Sequence, residues 1–261
     1  IEEGEMYIGF NRVKIDYKKP NKVSIVLSSN KSMYVNHELR EVQYFNTNKS
    51  FIKVFFKTLI GDGFYKNSKL ITNCGYFQNY KHQLNSISKS TAAHSTVVLD
   101  NRSSCKMKKA SDGIFKVDEE LKILKKSIIS EKNYWNISGS HDGYLKKYGV
   151  IHERKIEFFV EKNKFIGTDR LIKKKSFKSS NFEIRFHFIP GVKITKTQDE
   201  NSILIELENS GWKFLCKDHK IDVETGLYFG KKNSFVENQN IFISGLTQNE
   251  DQEINWELIK I

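Results

Sequence analysis

The run Thr91-Ala92-Ala93-His94-Ser95-Thr96-Val97-Val98-Leu99-Asp100 sets one histidine between small residues and a β-branched stretch. Thr96, Val97 and Val98 read as a strand. His94 then stands at the strand entrance, where an imidazole is held rigidly and still reaches a cleft. The plainer alternative is a histidine that packs or caps a loop. Tyr76, just after Asn73-Cys74-Gly75, offers a phenol for proton transfer, or simply packs. Only six of the 43 basic residues are arginine: Arg12, Arg40, Arg102, Arg154, Arg170 and Arg185. A planar guanidinium fork binds carboxylate in a way lysine cannot, so these mark either acidic-ligand contacts or structural ion pairs.

Elements must place those groups. His152 and Arg154 share one face of an expected strand, with Glu153 on the other. They either line a cleft or pair across a hairpin with Asp169-Arg170. Arg185 and His187 share a face, while Ile184, Phe186 and Phe188 point to a core. His141-Asp142 before Gly143 suits a turn. Period-two alternation recurs at Val13/Ile15/Tyr17, Lys22–Leu27, Ile203/Ile205/Leu207 and Trp212/Phe214/Cys216. Phe51–Ile60 is a long apolar run. Glu161-Lys162-Asn163-Lys164 reads as a hairpin loop, and Asp-Gly pairs at 62–63, 112–113 and 142–143 read as turns. Asp118–Ile129 competes as a helix, but Ile128-Ile129 and the following Trp135 and Ile137 favour strand. Residues 30–50 read as the most loop-like region.

The expected fold is therefore all-β, a large antiparallel sandwich forming a single domain over 1–261. At 261 residues the chain can bury a core without covalent staples. Three widely spaced cysteines argue against a disulfide framework and a zinc ribbon. A net charge of +12 favours acidic partners, although much of it is lysine suited to a solvated face. No apolar run reaches membrane-spanning length. There is no phosphate-binding glycine loop, no hydrolase Ser/His/Asp order and no nucleic-acid motif, so nucleic acid is not an expected partner. The opening Ile-Glu-Glu suggests the later part of a longer protein.

A set of segments in order resembles the C-terminal β-sandwich of the bacterial heparinase II/III-like polysaccharide lyases. They are Ile71–Gly75, the His94 run, Ser140–Tyr144, Gly149–Ile156, Thr168–Leu171, Ile184–Val192 and Glu237–Gly245, together covering about 69–261. The resemblance implies β-elimination on a uronic-acid-containing polysaccharide. The cleft would lie between this sandwich and an N-terminal α/α toroid of the same protein, and that toroid is absent from this chain. A Tyr or His base removes the proton beside a neutralised carboxylate. Carried over, His94 matches a histidine that ligates zinc in metal-containing members; His94 and Tyr76 become the catalytic candidates. Asn73, His152, Arg154 and Arg185 become substrate-binding candidates. Zinc is implied by the resemblance only, and the expectation here is no cofactor. Asn73 stands where many members have aspartate, and an amide replaces a carboxylate ligand poorly. The family's His-x-His pair is missing, since residues 50–72 hold no histidine. A catalytically inactive carbohydrate-binding module is therefore the alternative. The substrate class points to a periplasmic or cell-envelope setting.

Overall fold

A computed structural model describes residues 3–9, 12–19, 22–28, 31–46, 64–65, 68–79, 82–111, 113–119, 121–175, 179–208, 210–231 and 234–261. They fall into two compact units, Ile1–Leu70 and Ile71–Ile261, where the sequence suggested one domain. The second unit takes in nearly all of the stretch that carries the resemblance.

In the first unit, β1 (Glu3–Gly9), β2 (Arg12–Lys19), β3 (Val23–Ser28), β4 (Lys31–Asn36) and β5 (Glu41–Asn46) form an antiparallel meander in chain order. The two-residue strands β6 (Phe64–Tyr65) and β7 (Ser68–Lys69) pair separately. The loop expected over 30–50 is instead largely the β4–β5 hairpin. Its cross-strand pairs Met33/Tyr44 and Val35/Val42 are diluted in sequence by Asn, Ser and Lys. Asn36 closes the turn by accepting the Glu38 and Leu39 amides, each at 3.0 Å. The apolar run Phe51–Ile60, the Asp62-Gly63 pair and Asp112 lie outside the described residues.

The second unit opens with β8 (Ile71–Thr72), helix α1 (Gln83–Ser88), a 3-10 turn (Thr91–Ala93) and β9 (Val97–Leu99). A hairpin of β10 (Lys106–Lys109) and β11 (Phe115–Glu119) follows, then β12 (Ile123–Ser130), β13 (Tyr134–His141) and the short helix α2 (Leu145–Tyr148). Within the Asp118–Ile129 segment, residues 118–119 close β11 and residues 123–129 belong to β12, as its β-branched end indicates. Next come β14 (Val150–Phe159), β15 (Lys164–Lys173), β16 (Asn181–Phe188), β17 (Lys193–Lys196) and β18 (Ser202–Leu207). The last strands are β19 (Ser210–Leu215), β20 (Ile221–Lys231), β21 (Ser234–Leu246) and β22 (Gln252–Lys260).

Two antiparallel sheets result. One has eight strands in the order β12-β13-β14-β15-β22-β19-β18-β17. The other runs β20-β21-β16-β8, with β9 also on β16. The fold is an all-β sandwich, and the described residues contain no α/α toroid. Alternation decides what faces inward. Phe182, Ile184, Phe186 and Phe188 of β16 are buried with Ile203, Ile205, Phe214, Trp256 and Leu258 of the larger sheet. The Phe186 ring centroid lies 4.7 Å from Phe214 and 4.8 Å from Trp256. A smaller buried cluster gathers Cys74, Phe77, Ala93 and Phe229.

Trp256 fits because its cross-strand partner is Gly167. A Cβ at Gly167 would lie 2.0 Å from the indole carbons. Gly167→Ala should therefore lower stability by about 1–3 kcal/mol. Urea unfolding at neutral pH checks this; an unchanged midpoint would show that the indole has room to move.

Candidate functional site

Period-two geometry brings Arg154 of β14 directly opposite Asp169 of β15. Asp169 is completely buried. Its carboxylate accepts from Arg154 Nε at 2.7 Å, Arg154 Nη2 at 2.9 Å, His152 Nε2 at 2.7 Å and Trp256 Nε1 at 3.0 Å. Burial alone would raise its pKa. The guanidinium and His152 overcome that and hold the carboxyl well below the usual carboxylate range. The expected ion pairs across the hairpin are both present, since Arg170 Nη1 also meets Glu153 Oε1 at 3.2 Å.

The chain of histidines behind Asp169 has a fixed direction. Gly143 N donates to His141 Nδ1 at 3.2 Å, so a neutral His141 carries its proton on Nε2. That nitrogen lies 3.3 Å from His152 Nδ1, and His152 Nε2 donates onward to Asp169. His141 and Asp142 also shape the turn, where Asp142 Oδ1 accepts from Lys122 N at 2.6 Å. Burial, reinforced by His152, pushes His141 down to about 4.

The third guanidinium nitrogen leaves this cluster. Arg154 Nη1 donates to the Ser95 carbonyl, the residue after His94, so one arginine joins the large sheet to the His94 segment. Its guanidinium lies over Phe186 at 5.7 Å and Trp256 at 6.0 Å. Ser95 Oγ donates to Thr72 O at 2.6 Å and accepts from His187 N at 2.9 Å. Cys74 N donates to Ala93 O at 2.9 Å, which ties the Asn73 loop to the same segment. His94 is half-buried at the entrance of β9, as the sequence indicates, and burial lowers its pKa.

The remaining candidates divide. Asn73 is exposed, and its Oδ1 accepts from Gly75 N at 2.9 Å, shaping its own turn. Gly75 has φ +77, and a Cβ there would lie 2.9 Å from the Phe229 carbonyl carbon. Tyr76 is half-exposed, with Lys89 Nζ 5.8 Å above its ring. Arg185 sits in a separate cluster, bonded to Glu183 Oε2 at 2.6 and 2.9 Å and to Glu224. The structure thus engages Arg154 and Arg185 with carboxylates of the fold. Ser95 and Trp256 are site residues that sequence patterning missed, and it places His187 only with Arg185 on one strand face. They converge from segments far apart in the chain, and period two carries no signal of that.

For the zinc that the resemblance implies, His94 is the matching ligand. Beside His94, Asn73 offers only an amide that is already hydrogen-bonded. Among the described residues no three His, Cys, Asp or Glu side chains gather as a metal site.

The profile described as "Heparinase II/III-like, C-terminal" matches residues 64–257, and the chain belongs to that family. A search of curated proteins finds no match. Among solved structures the chain is similar to heparan sulfate lyase HepC from Pedobacter heparinus. The TM-score is 0.60 at 12% identity, covering 98% of this chain and 36% of that one. It is also similar to a heparinase III gene product (TM-score 0.57, 12% identity, 99% and 35% covered) and to a heparinase III (0.52, 11%, 99% and 36%). At these identities the likeness is one of fold. The chain spans about a third of the length of those proteins.

The buried histidines predict a pH dependence. Burial holds His141 and His187 down at about 4 in the fold, against 6.5 for an ordinary histidine. Between those values the unfolded chain binds protons that the folded chain does not. Stability is therefore complete above about pH 6.5 and falls as the pH drops toward 4, by on the order of 3 kcal/mol for each ring. Denaturant titrations at pH 7.5, 6, 5 and 4.5 should show this decline; a flat profile would mean that the rings protonate freely in the fold. Asp169→Asn, which leaves the Arg154 charge buried without its partner, should cost about 3–5 kcal/mol at pH 7.5.

Proposed function

We propose that this chain supplies the sandwich half of a lyase site that cleaves an acidic, uronic-acid-containing polysaccharide by β-elimination. The observation that carries this reading is the fixed position of His94. Family membership and the fold likeness to heparin- and heparan-degrading lyases support the substrate class, with a glycosaminoglycan as the first candidate.

In this reading His94 is the proton-transfer group. Burial keeps its ring neutral near pH 7, so a nitrogen lone pair is free to take the proton beside the uronate carboxylate. Tyr76, exposed nearby in sequence on the Asn73 loop, is the candidate acid for the leaving oxygen, and Asn73 is a candidate sugar contact. Arg154 and His152 act at one remove, by holding the His94 segment. Arg185 faces two carboxylates, so neutralising the substrate's own carboxylate falls to groups outside this set. A toroid domain of the same protein is the proposed source and would also close the cleft. A periplasmic or cell-envelope location suits such a substrate.

A second reading is favoured by one observation: both candidate arginines and the Asn73 oxygen are already hydrogen-bonded within the fold. That is what a non-catalytic carbohydrate-binding sandwich would show.

Elimination leaves a double bond conjugated to the carboxylate, which absorbs in the ultraviolet. These 261 residues alone should give no such product from heparin-like, chondroitin-like or alginate-like polymers. Joined to an N-terminal toroid they should, and His94→Ala should then reduce the rate by about 10²–10⁴-fold. Robust product from the isolated chain would show that the sandwich holds a complete site. Binding without product in the joined protein would favour the second reading.

A further inference from the structure

A two-stranded hairpin stands apart from both sandwich sheets. β10 and β11 pair with each other and, among the described residues, with no other strand. Such a hairpin has little stability of its own. This one also sets like charges together. Lys108 lies directly opposite Lys116, and the next pair toward the turn is Lys109 with Phe115. All three lysines are exposed. Like charges directly across a strand pair are destabilising. The acidic groups of the two strands lie at the other end. There Asp118 Oδ2 meets Lys106 Nζ at 3.3 Å, and Glu119 is the cross-strand partner of Lys106. The turn end of the two strands therefore presents three ammonium groups with no carboxylate opposite them.

Lys89, just after α1, ties that end to the candidate site. Its Nζ donates to Phe115 O at 3.2 Å and lies 5.8 Å above the Tyr76 ring. Tyr76 is 50% exposed on the Asn73 loop, and Cys74 of that loop bonds Ala93 beside His94. One surface thus runs from the His94 segment past Tyr76 and Lys89 to the hairpin lysines. We propose that the β10–β11 hairpin is an outlying subsite for the anionic groups of an acidic polysaccharide, uronate carboxylates or sulfate esters. Lysine meets such groups as a point charge on a flexible stem, and a bound anion relieves the repulsion between Lys108 and Lys116. The hairpin carries no arginine, the residue whose planar fork suits phosphate and base edges, so nucleic acid is the poorer fit. This deepens the proposed lyase reading, on which it rests for the identity of the polymer. The chain that enters at His94 continues over the hairpin, away from the chemistry.

The test reads binding without turnover, by calorimetry on the full chain at neutral pH and low salt. The probes are a short heparin fragment, with carboxylates and sulfates, a hyaluronan fragment, with carboxylates alone, and a single-stranded DNA matched in charge to the heparin. Lys108→Gln with Lys116→Gln should weaken heparin binding by about three- to tenfold. Lys108→Arg with Lys116→Arg keeps the charge and should keep the binding. Lys162→Gln with Lys217→Gln, the same loss of charge at exposed positions in other turns, should change it by less than about twofold. A parallel loss on hyaluronan assigns the hairpin to carboxylates, and a loss confined to heparin assigns it to sulfate esters. Equal losses in the two glutamine pairs would show a diffuse attraction and overturn the proposal. So would DNA bound as tightly as heparin with the same dependence on the hairpin, or no binding of either polysaccharide. A joined protein that yields product while the hairpin glutamine pair binds heparin unchanged would overturn the subsite and spare the lyase reading. Hairpin-dependent binding without product would do the reverse.

Discussion

One buried carboxylate organises the second unit. Asp169 sits at the centre of the large sheet with no exposure and takes four donors from the two strands that flank its own. Such a group survives in a low-dielectric interior only when its charge is matched and its lone pairs are filled. Arg154 does both and has one nitrogen left over. That nitrogen reaches the Ser95 carbonyl and converts an ion pair within one sheet into a tie between sheets. Gly167 makes room for the indole that completes the set, and Phe186 and Trp256 flank the guanidinium. The packing of the sandwich and the placement of His94 therefore share one constraint.

The functional consequence is a division of labour among residues that look interchangeable in sequence. Arg154 and Arg185 both carry a fork suited to a uronate, yet each is engaged by carboxylates of its own fold. His152 faces Asp169, and His187 faces the backbone of the 92–95 segment. His94 stands apart, half-buried, with its backbone fixed on both sides. In the proposed lyase reading such a site would present one prepared proton acceptor and leave charge neutralisation to groups outside this set. The chain spans about a third of the length of the solved lyases it resembles in fold.

Much of the fold was legible because burial follows a period of two. The inward set Ile184, Phe186 and Phe188, the hairpin over 150–173 and the pairing of Arg154 with Asp169 all follow from alternation and turn chemistry. The β4–β5 hairpin did not, because its polar residues resemble a loop and its closure depends on one asparagine side chain. At the site, His94 stood out through its local motif. Ser95 and Trp256 did not, since their contacts join residues 23, 59, 87 and 92 positions apart, and local pattern holds no record of that. The division at Leu70 was not read from the sequence.

The central claim is that the Asp169–Arg154 pair holds the His94 segment from across the sandwich. Amide hydrogen exchange on Arg154→Lys tests it most directly, since lysine keeps the charge but cannot bond Asp169 twice and Ser95 once. Protection at the Cys74, His94, Thr96 and His187 amides should fall by at least about tenfold, while β18 and β19 keep theirs. Unchanged protection at those four amides would contradict the account, for it would show that the His94 segment is fixed without help from the large sheet.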